Sequence, residues 1–479
     1  MDELRRTSPR RWLRALLGLL LLAWLGMACY QAFKPLPAGL SFTGPLRPAS
    51  DMQLLMDQTY HDGQRRITEQ QVFDEAFALI GQARRLIVVD MFLFNDFAAK
   101  AEHRPLSRQL TEALLAARRQ HADIEIVVIT DPFNTFYGSM QAPAIEALEE
   151  AGIRVVMTPV SKLRASNPAW SGLWHICCSW LGNSEDGGWL PNPVAEGKVT
   201  LRGWLRLLNF RANHRKTLIV DQGNDWVGLV TSANPHDASS HHWNAALRFS
   251  GAAALDLLAS EQAVLNMANA EVDWPQPPDM SIAVLPAVQI LTEGAIRDGL
   301  LRMVDSSEAG DRLDMEMFYL SHRPIIKALI NAHKRGVELR VLLDPNRDAF
   351  GREKNGIPNR QAAWDLHEAG IPVRWCDTQG EQCHRKWVRL EHSDGIGELI
   401  SGSANLTRRN LDDLNLETSV RLVAQHDESA LVEAREHFQR LWTNAEGKPF
   451  SLPYDAFADH SRLRYWLYRW MEATGMSTF

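Results

Sequence analysis

N-H-R-K-T-L-I-V-D, residues 213–221, and C-H-R-K-W-V-R-L-E, residues 383–391, decide how this chain is read. Each opens with His and Lys two places apart on a strand-like run, so both side chains leave the same face. The first gives His214, Lys216 and Asp221, followed by T-S-A-N with Ser232 and Asn234. The second gives His384, Lys386 and Glu391, followed by G-S-A-N with Ser403 and Asn405. One such triplet is weak evidence, because a lone His on a strand is more often a packed or solvated residue. Two copies at matching positions are a strong signal.

The likeness extends upstream. R-R-L-I-V-V-D-M-F-L-F from Arg84 answers D-R-L-D-M-E-M-F-Y-L from Asp311, and I-E-I-V-V-I-T-D-P from Ile124 answers V-E-L-R-V-L-L-D-P from Val337. I-E-A-L-E-E-A-G-I-R-V-V from Ile145 answers W-D-L-H-E-A-G-I-P-V-R-W from Trp364. Short apolar runs alternate with amphipathic helical stretches in both copies, as in crossover α/β units around a largely buried sheet. Gly152 and Gly370 stand where a helix should stop before the next strand. The expected fold is α/β: two similar lobes, 50–270 and 285–450, each a mixed sheet flanked by helices. A Pro-rich linker over 271–284 joins them, and an amphipathic tail over 451–479 follows.

Composition narrows the function. A chain of 479 residues has ample core, which excludes disorder and a disulfide-stapled miniprotein. With 51 Lys+Arg against 58 Asp+Glu the net charge is −7, which argues against a dedicated nucleic-acid binder. No nucleic-acid partner is expected, although a local basic groove stays open. Of the five cysteines, Cys29 lies in the N-terminal apolar run; Cys177, Cys178, Cys376 and Cys383 could pair only in an oxidising compartment. No Cys/His pair has zinc spacing and no carboxylate cluster suits a divalent ion, so no metal is expected.

Arg5, Arg6, Arg10, Arg11 and Arg14 precede an uncharged run of 19 residues, Ala15–Phe33. A helix needs about 20 to cross a bilayer core, and the arginines should stay on the cytoplasmic side. Residues 1–35 therefore read as a single-pass signal anchor. A cleaved signal peptide, with a poor lipoprotein site at Cys29, is the competing reading. Gly152 and His214 lie 62 residues apart, against 14 for Gly370 and His384, so the first copy carries an insertion, about 157–205. Five of the 16 tryptophans, Trp170, Trp174, Trp180, Trp189 and Trp204, fall in it. They suit either a bulky core or a membrane-interface surface. The tail segment R-L-R-Y-W-L-Y-R-W-M from Arg462 poses the same choice.

Two such sites face to face would offer two lysines and two asparagines to phosphoryl oxygens, with two imidazoles for in-line displacement. The paired runs resemble the H-x-K-x4-D motifs of the phospholipase D superfamily, over nearly the whole chain after residue 50. That resemblance implies two lobes around one shared active site, a covalent phosphohistidine and no cofactor. The layout is similar to bacterial cardiolipin synthases, which implies the bacterial inner membrane, catalytic lobes on its non-cytoplasmic side and a phospholipid substrate. The expected activity is phosphatidyl transfer between phosphatidylglycerol molecules to give cardiolipin. Hydrolysis to phosphatidic acid is the alternative, and a metal-independent nuclease or a scaffold with decayed motifs lies further off. His214 is favoured as nucleophile and His384 as general acid, then base; the reverse stays open. No dimer is required, because the duplication supplies both half-sites.

Three departures qualify the resemblance. Glu391 replaces the usual Asp, and Thr231 stands where Gly is expected. N-L-E supplies Glu417 as the acid orienting a histidine, 33 residues after His384. The first copy reads N-A-A there, which puts Ala246 at the carboxylate position and leaves Asp90 as the candidate substitute.

Overall fold

Both H-R-K runs form strands at the middle of their sheets, Lys216–Gln222 and Lys386–Glu391. The computed structural model describes residues 9–63, 65–278, 284–349, 352–477 and 479. Arg5, Arg6 and positions 279–283 of the linker lie outside them. In the first sheet the order runs Arg66–Glu69, Ser50–His61, Asn244–Ser250, Asp225–Thr231, Lys216–Gln222, Leu86–Met91, Glu125–Thr130, Arg154–Met157. The second repeats seven of these places as Ala287–Thr292, Thr418–Gln425, Ile396–Gly402, Lys386–Glu391, Arg312–Met317, Glu338–Leu343 and Val373–Cys376. In both, the last three strands are parallel and the others antiparallel. The duplication read from sequence is therefore a duplication of topology.

Alternation along the strands explains why both faces are buried. Ile87 and Val89 meet the helices Val72–Gln82 and Leu106–Gln120, whereas Val88 between them faces the other lobe. Leu313, Met315 and Met317 likewise meet the helices Gly294–Asp305 and Arg323–Arg335. Between the sheets, Val88, Ile219 and Leu247 share one core with Ile290, Trp387 and Leu422, joined by Trp274 from the linker. Gly152 and Gly370 have φ of 71° and 85°, the left-handed conformation that ends a helix at little cost only in glycine. The chain ahead of the first lobe joins the second sheet: Arg47–Pro48 pairs antiparallel with Ala287–Thr292. Ser451–Pro453, at the start of the tail, closes its far edge.

The helix Pro9–Phe33 is 25 residues long. Within Arg10–Phe33 an 18-residue window has a mean hydropathy of 1.8 and no buried residue, so the helix is long and apolar enough to cross a membrane. Its C-terminal end packs on the insertion helix Pro168–Cys177. Trp24 Nε1 donates to the Ala169 carbonyl at 2.8 Å, and a Cβ on Gly172 would meet the Ala28 backbone nitrogen at 2.9 Å. Gly172→Val should therefore push the two helices apart, at a cost of about 1–3 kcal/mol. The denaturation midpoint of the full chain in detergent reads this, and an unchanged midpoint would refute the packing.

The tryptophans divide in burial. Trp174 is buried, while Trp180 and Trp189 are 72% and 64% exposed. The tail helix Arg462–Thr474 divides too: Tyr468 is buried beside Phe318, and Leu463, Trp466 and Trp470 are exposed.

Candidate active site

Each histidine is fixed by the opposite lobe. The His214 backbone N–H donates to the Leu416 carbonyl at 2.9 Å, and that of His384 to the Trp243 carbonyl at 2.9 Å. Leu416 and Trp243 thus hold equivalent places, and so do the residues after them. His214 Nδ1 lies 3.0 Å from Glu417 Oε2 and 2.9 Å from Oε1. His384 Nδ1 lies 3.1 Å from Asn244 Oδ1. With each Nδ1–H donated, the Nε2 of both rings is left for chemistry.

This corrects the sequence reading in two places. Glu417 orients His214 of the other copy, not His384 of its own. The equivalent of Glu417 is Asn244, not Ala246: W-N-A-A-L-R-F from Trp243 lies over L-E-T-S-V-R-L from Leu416. Asp90 does not reach His214 either; both its oxygens accept from Asn213 Nδ2, at 2.8 and 2.9 Å.

The lysines occupy matching places. Lys216 Nζ donates to the His214 carbonyl at 2.7 Å and lies 5.2 Å from the Phe92 ring centre. Lys386 Nζ donates to the His384 carbonyl at 2.5 Å and lies 5.0 Å from the Phe318 ring centre. Those same rings flank the imidazoles, Phe92 at 5.0 Å from His214 and Phe318 at 4.8 Å from His384. They stand at matching positions of D-M-F and E-M-F, a repeat signal that pattern reading passed over.

Ser232 and Ser403 stand behind the histidine partners. Ser232 Oγ donates to Asn244 Oδ1 at 3.0 Å, and Ser403 Oγ donates to Glu417. Asn410 Nδ2 donates to Glu417 as well. Asn234 Oδ1 accepts from the Leu93 N–H at 3.3 Å, and Asn405 Oδ1 is buried without a protein partner. Asp221 and Glu391 lie apart from all of these, five residues along their strands from the lysines. At about 3.3 Å per residue that is some 16 Å away. Asp221 accepts the backbone N–H groups of Arg84, Arg85 and Leu86 at 3.2, 2.8 and 2.9 Å, fixing the start of the neighbouring strand. Glu391 pairs with Arg389.

The arginine inside each H-R-K turns to the other face and locks the lobes together. Arg215 is fully buried between Glu261 at 3.3 Å and Glu293, from the second lobe, at 2.7 Å. Arg385 donates to Glu316 at 2.8 Å and to the carbonyls of Asn244 and Asp57 in the first lobe. Removing one partner of a buried ion pair leaves an uncompensated charge, so Arg215→Met should cost about 3–5 kcal/mol. Urea denaturation measures it; a change under 1 kcal/mol would refute the clamp.

Burial sets the protonation of the site. It pushes His214 down to about 4, against the opposing pull of Glu417. It pushes His384 well below the usual histidine range, with Lys386 and His242 adding to the effect. Glu417 would be raised by burial, but His214, Lys216 and Ser403 outweigh that and hold it below the ordinary carboxylate range. Burial brings Lys216 down to about 7 and Lys386 well below its usual range. At neutral pH Glu417 is thus ionised and both imidazoles are neutral, while burial weakens the hold of both lysines on their protons. Glu316, Cys376 and Cys383 also converge within 4.8 Å, but the cysteines are joined to each other and Glu316 is held by Arg385 and Trp387.

A family model described as "Cardiolipin synthase, PLD-like domain" matches residues 300–442, a stretch that holds the whole second set of site residues. That stretch is thus similar to a phospholipase D-like domain. Phosphatidylserine synthase of Haemophilus influenzae Rd KW20 is 10% identical over 90% of this chain and 95% of its own, with a TM-score of 0.54. That likeness is one of fold and spans both lobes. Nuc, a phospholipase D family member from Salmonella typhimurium, is 25% identical over 33% of this chain and 95% of its own, with a TM-score of 0.28. Polyphosphate kinase from Porphyromonas gingivalis is 13% identical over 89% of this chain and 53% of its own, with a TM-score of 0.46. No curated protein matches the chain.

Proposed function

We propose that the protein is a membrane-anchored phosphatidyltransferase that works through a phosphohistidine and makes cardiolipin from two molecules of phosphatidylglycerol. The reading rests on two neutral imidazoles, each fixed through Nδ1 by the opposite lobe, with two lysines beside them. His214 Nε2 attacks phosphorus while the bond to the leaving glycerol oxygen breaks. His384, charged by a proton as the phosphodiester anion enters, gives that proton to the departing alkoxide. The neutral His384 then takes a proton from the acceptor hydroxyl, whose oxygen displaces His214. Lys216 and Lys386 hold the non-bridging oxygens throughout.

The apolar helix and the exposed tryptophans support a lipid substrate, since both suit a chain that works at a bilayer surface. The paired Cys376–Cys383, next to His384, fits lobes held outside the reducing cytoplasm. Hydrolysis differs only in water replacing the acceptor. The test uses purified protein with phosphatidylglycerol, with and without phosphatidylethanolamine, and mass spectrometry of the lipids. Cardiolipin that disappears in His214→Ala and in His384→Ala is the expected result. Phosphatidic acid alone would make the enzyme a hydrolase, and no histidine-dependent lipid product would overturn the substrate class.

A further inference from the structure

The anchor helix ends beside a group of cations with, among the described residues, no carboxylate in ion-pair contact, although Asp131 feels the charge of Arg206. Lys34, the first residue after it, donates from Nζ to the Ser161 carbonyl at 2.6 Å and to Gln31 Oε1 at 3.1 Å. Arg211 donates to the same two oxygens, at 3.1 and 2.7 Å. Two positive groups are thus held together by two shared neutral acceptors. Arg211 is 4% exposed and its Nε is buried without a partner. It lines a small cleft together with Tyr137, Trp174, His175, Arg206 and Asn209. Arg206 lies over the Tyr137 ring at 5.4 Å. His175 gives its Nδ1–H to the Ser171 carbonyl at 2.8 Å, which leaves Nε2 for a ligand. Among the described residues no carboxylate lies within ion-pair distance of Lys34, His175, Arg206 or Arg211. Burial and mutual repulsion push Lys34 down to about 7.

Buried cations normally come with counter-charges, so an anion entering from outside would relieve the repulsion within this cluster. Arginine forks suit phosphate oxygens, and Trp174 and Tyr137 suit the headgroup level of a bilayer. The cleft is close to the chemistry: Arg211 is three residues before His214, and Tyr137 ends the turn whose Asp131 accepts the Asn213 N–H at 2.8 Å. We infer that this cleft is a second phosphate subsite, which holds the phosphodiester headgroup of the acceptor phospholipid at the membrane surface. This rests on the transfer reading above, and explains how a lipid acceptor competes with water: the acceptor brings a phosphate and water does not.

The test separates the two claims. The full chain carrying His214→Ala and His384→Ala, which cannot turn over, is titrated in detergent with dihexanoyl phosphatidylglycerol, and stoichiometry is read by native mass spectrometry. Two lipids should bind. Adding Arg206→Gln should leave one, and Arg206→Lys should restore the second; His175→Gln, which should weaken the second event several-fold, serves if Arg206→Gln lowers the thermal midpoint. A single lipid bound whatever stands at 206, or two bound in Arg206→Gln, would overturn the subsite. Inorganic phosphate titrated alone is the other arm, and a site filled by phosphate but not by lipid would overturn the lipid assignment. In the active enzyme Arg206→Gln should lower the ratio of cardiolipin to phosphatidic acid about tenfold. Two lipids bound, one lost with Arg206, and no cardiolipin formed would leave the subsite standing and sink the transfer reading.

Discussion

Glu417→Gln should lower kcat/KM about 10²- to 10⁴-fold without unfolding the protein, the range spanned by removing the support of an acid–base histidine. Three donors converge on this carboxylate: His214 Nδ1, Ser403 Oγ and Asn410 Nδ2. An amide has one acceptor oxygen where the carboxylate has two, so its NH₂ must face one of those donors. If it faces His214, the ring is driven to the other tautomer and Nε2 carries a proton instead of a lone pair. If it turns away, His214 still loses the negative charge that stabilises the positive ring of a phosphohistidine. The variant should therefore lose formation of the covalent intermediate more than lipid binding, seen as a fall in kcat with little change in KM. Thermal unfolding checks that the fold survives. Retention of more than a fifth of wild-type kcat/KM would mean that Glu417 does not position the nucleophile.

Which residues could be found by pattern follows from how far apart the two halves of each interaction lie. His214, Lys216, His384 and Lys386 repeat within the chain, so the duplication marks them and the structure gathers them. Glu417 reads from the sequence as an acid for a histidine, but its histidine lies 203 residues away in the other lobe. Reasoning copy by copy assigns a side chain to its own repeat. Here the sheets face each other, and each lobe supplies the Nδ1 partner for the other's histidine. The same habit hid Asn244, which a two-residue shift of the match would have found. Arg215 and Arg385 were passed over inside the very motifs that decided the fold, because strand alternation turns them to the lobe interface. The acid closing each motif is legible as a repeat, while its partners, three backbone N–H groups for Asp221 and Arg389 for Glu391, are legible only in three dimensions. Lys34 and Arg211 share no pattern at all; only the packing of the N-terminal helix on the insertion brings them together.

His214→Ala and His384→Ala should fail at different steps, and the difference assigns their roles. A phosphatidyl ester of p-nitrophenol needs no proton on its leaving group. In His384→Ala it should release about one equivalent of nitrophenolate in a burst, because His214 still attacks. The reaction should then stall as phosphohistidine, since nothing remains to take the acceptor's proton. In His214→Ala no burst should occur, and turnover should fall by at least the roughly 10²- to 10⁴-fold expected for loss of an acid–base group. Quenched-flow and intact-protein mass spectrometry read both outcomes. The unequal partners argue for this assignment over its reverse. Ionised Glu417 stabilises the positive charge that the ring acquires when phosphorus bonds to Nε2. The amide oxygen of Asn244 fixes a tautomer but offers no charge, and with Lys386 nearby it leaves imidazolium at His384 poorly stabilised. A poorly stabilised imidazolium is a strong acid, which suits the group that must protonate an alkoxide. A burst from His214→Ala and none from His384→Ala would reverse the roles, and Glu417 would then serve the acid.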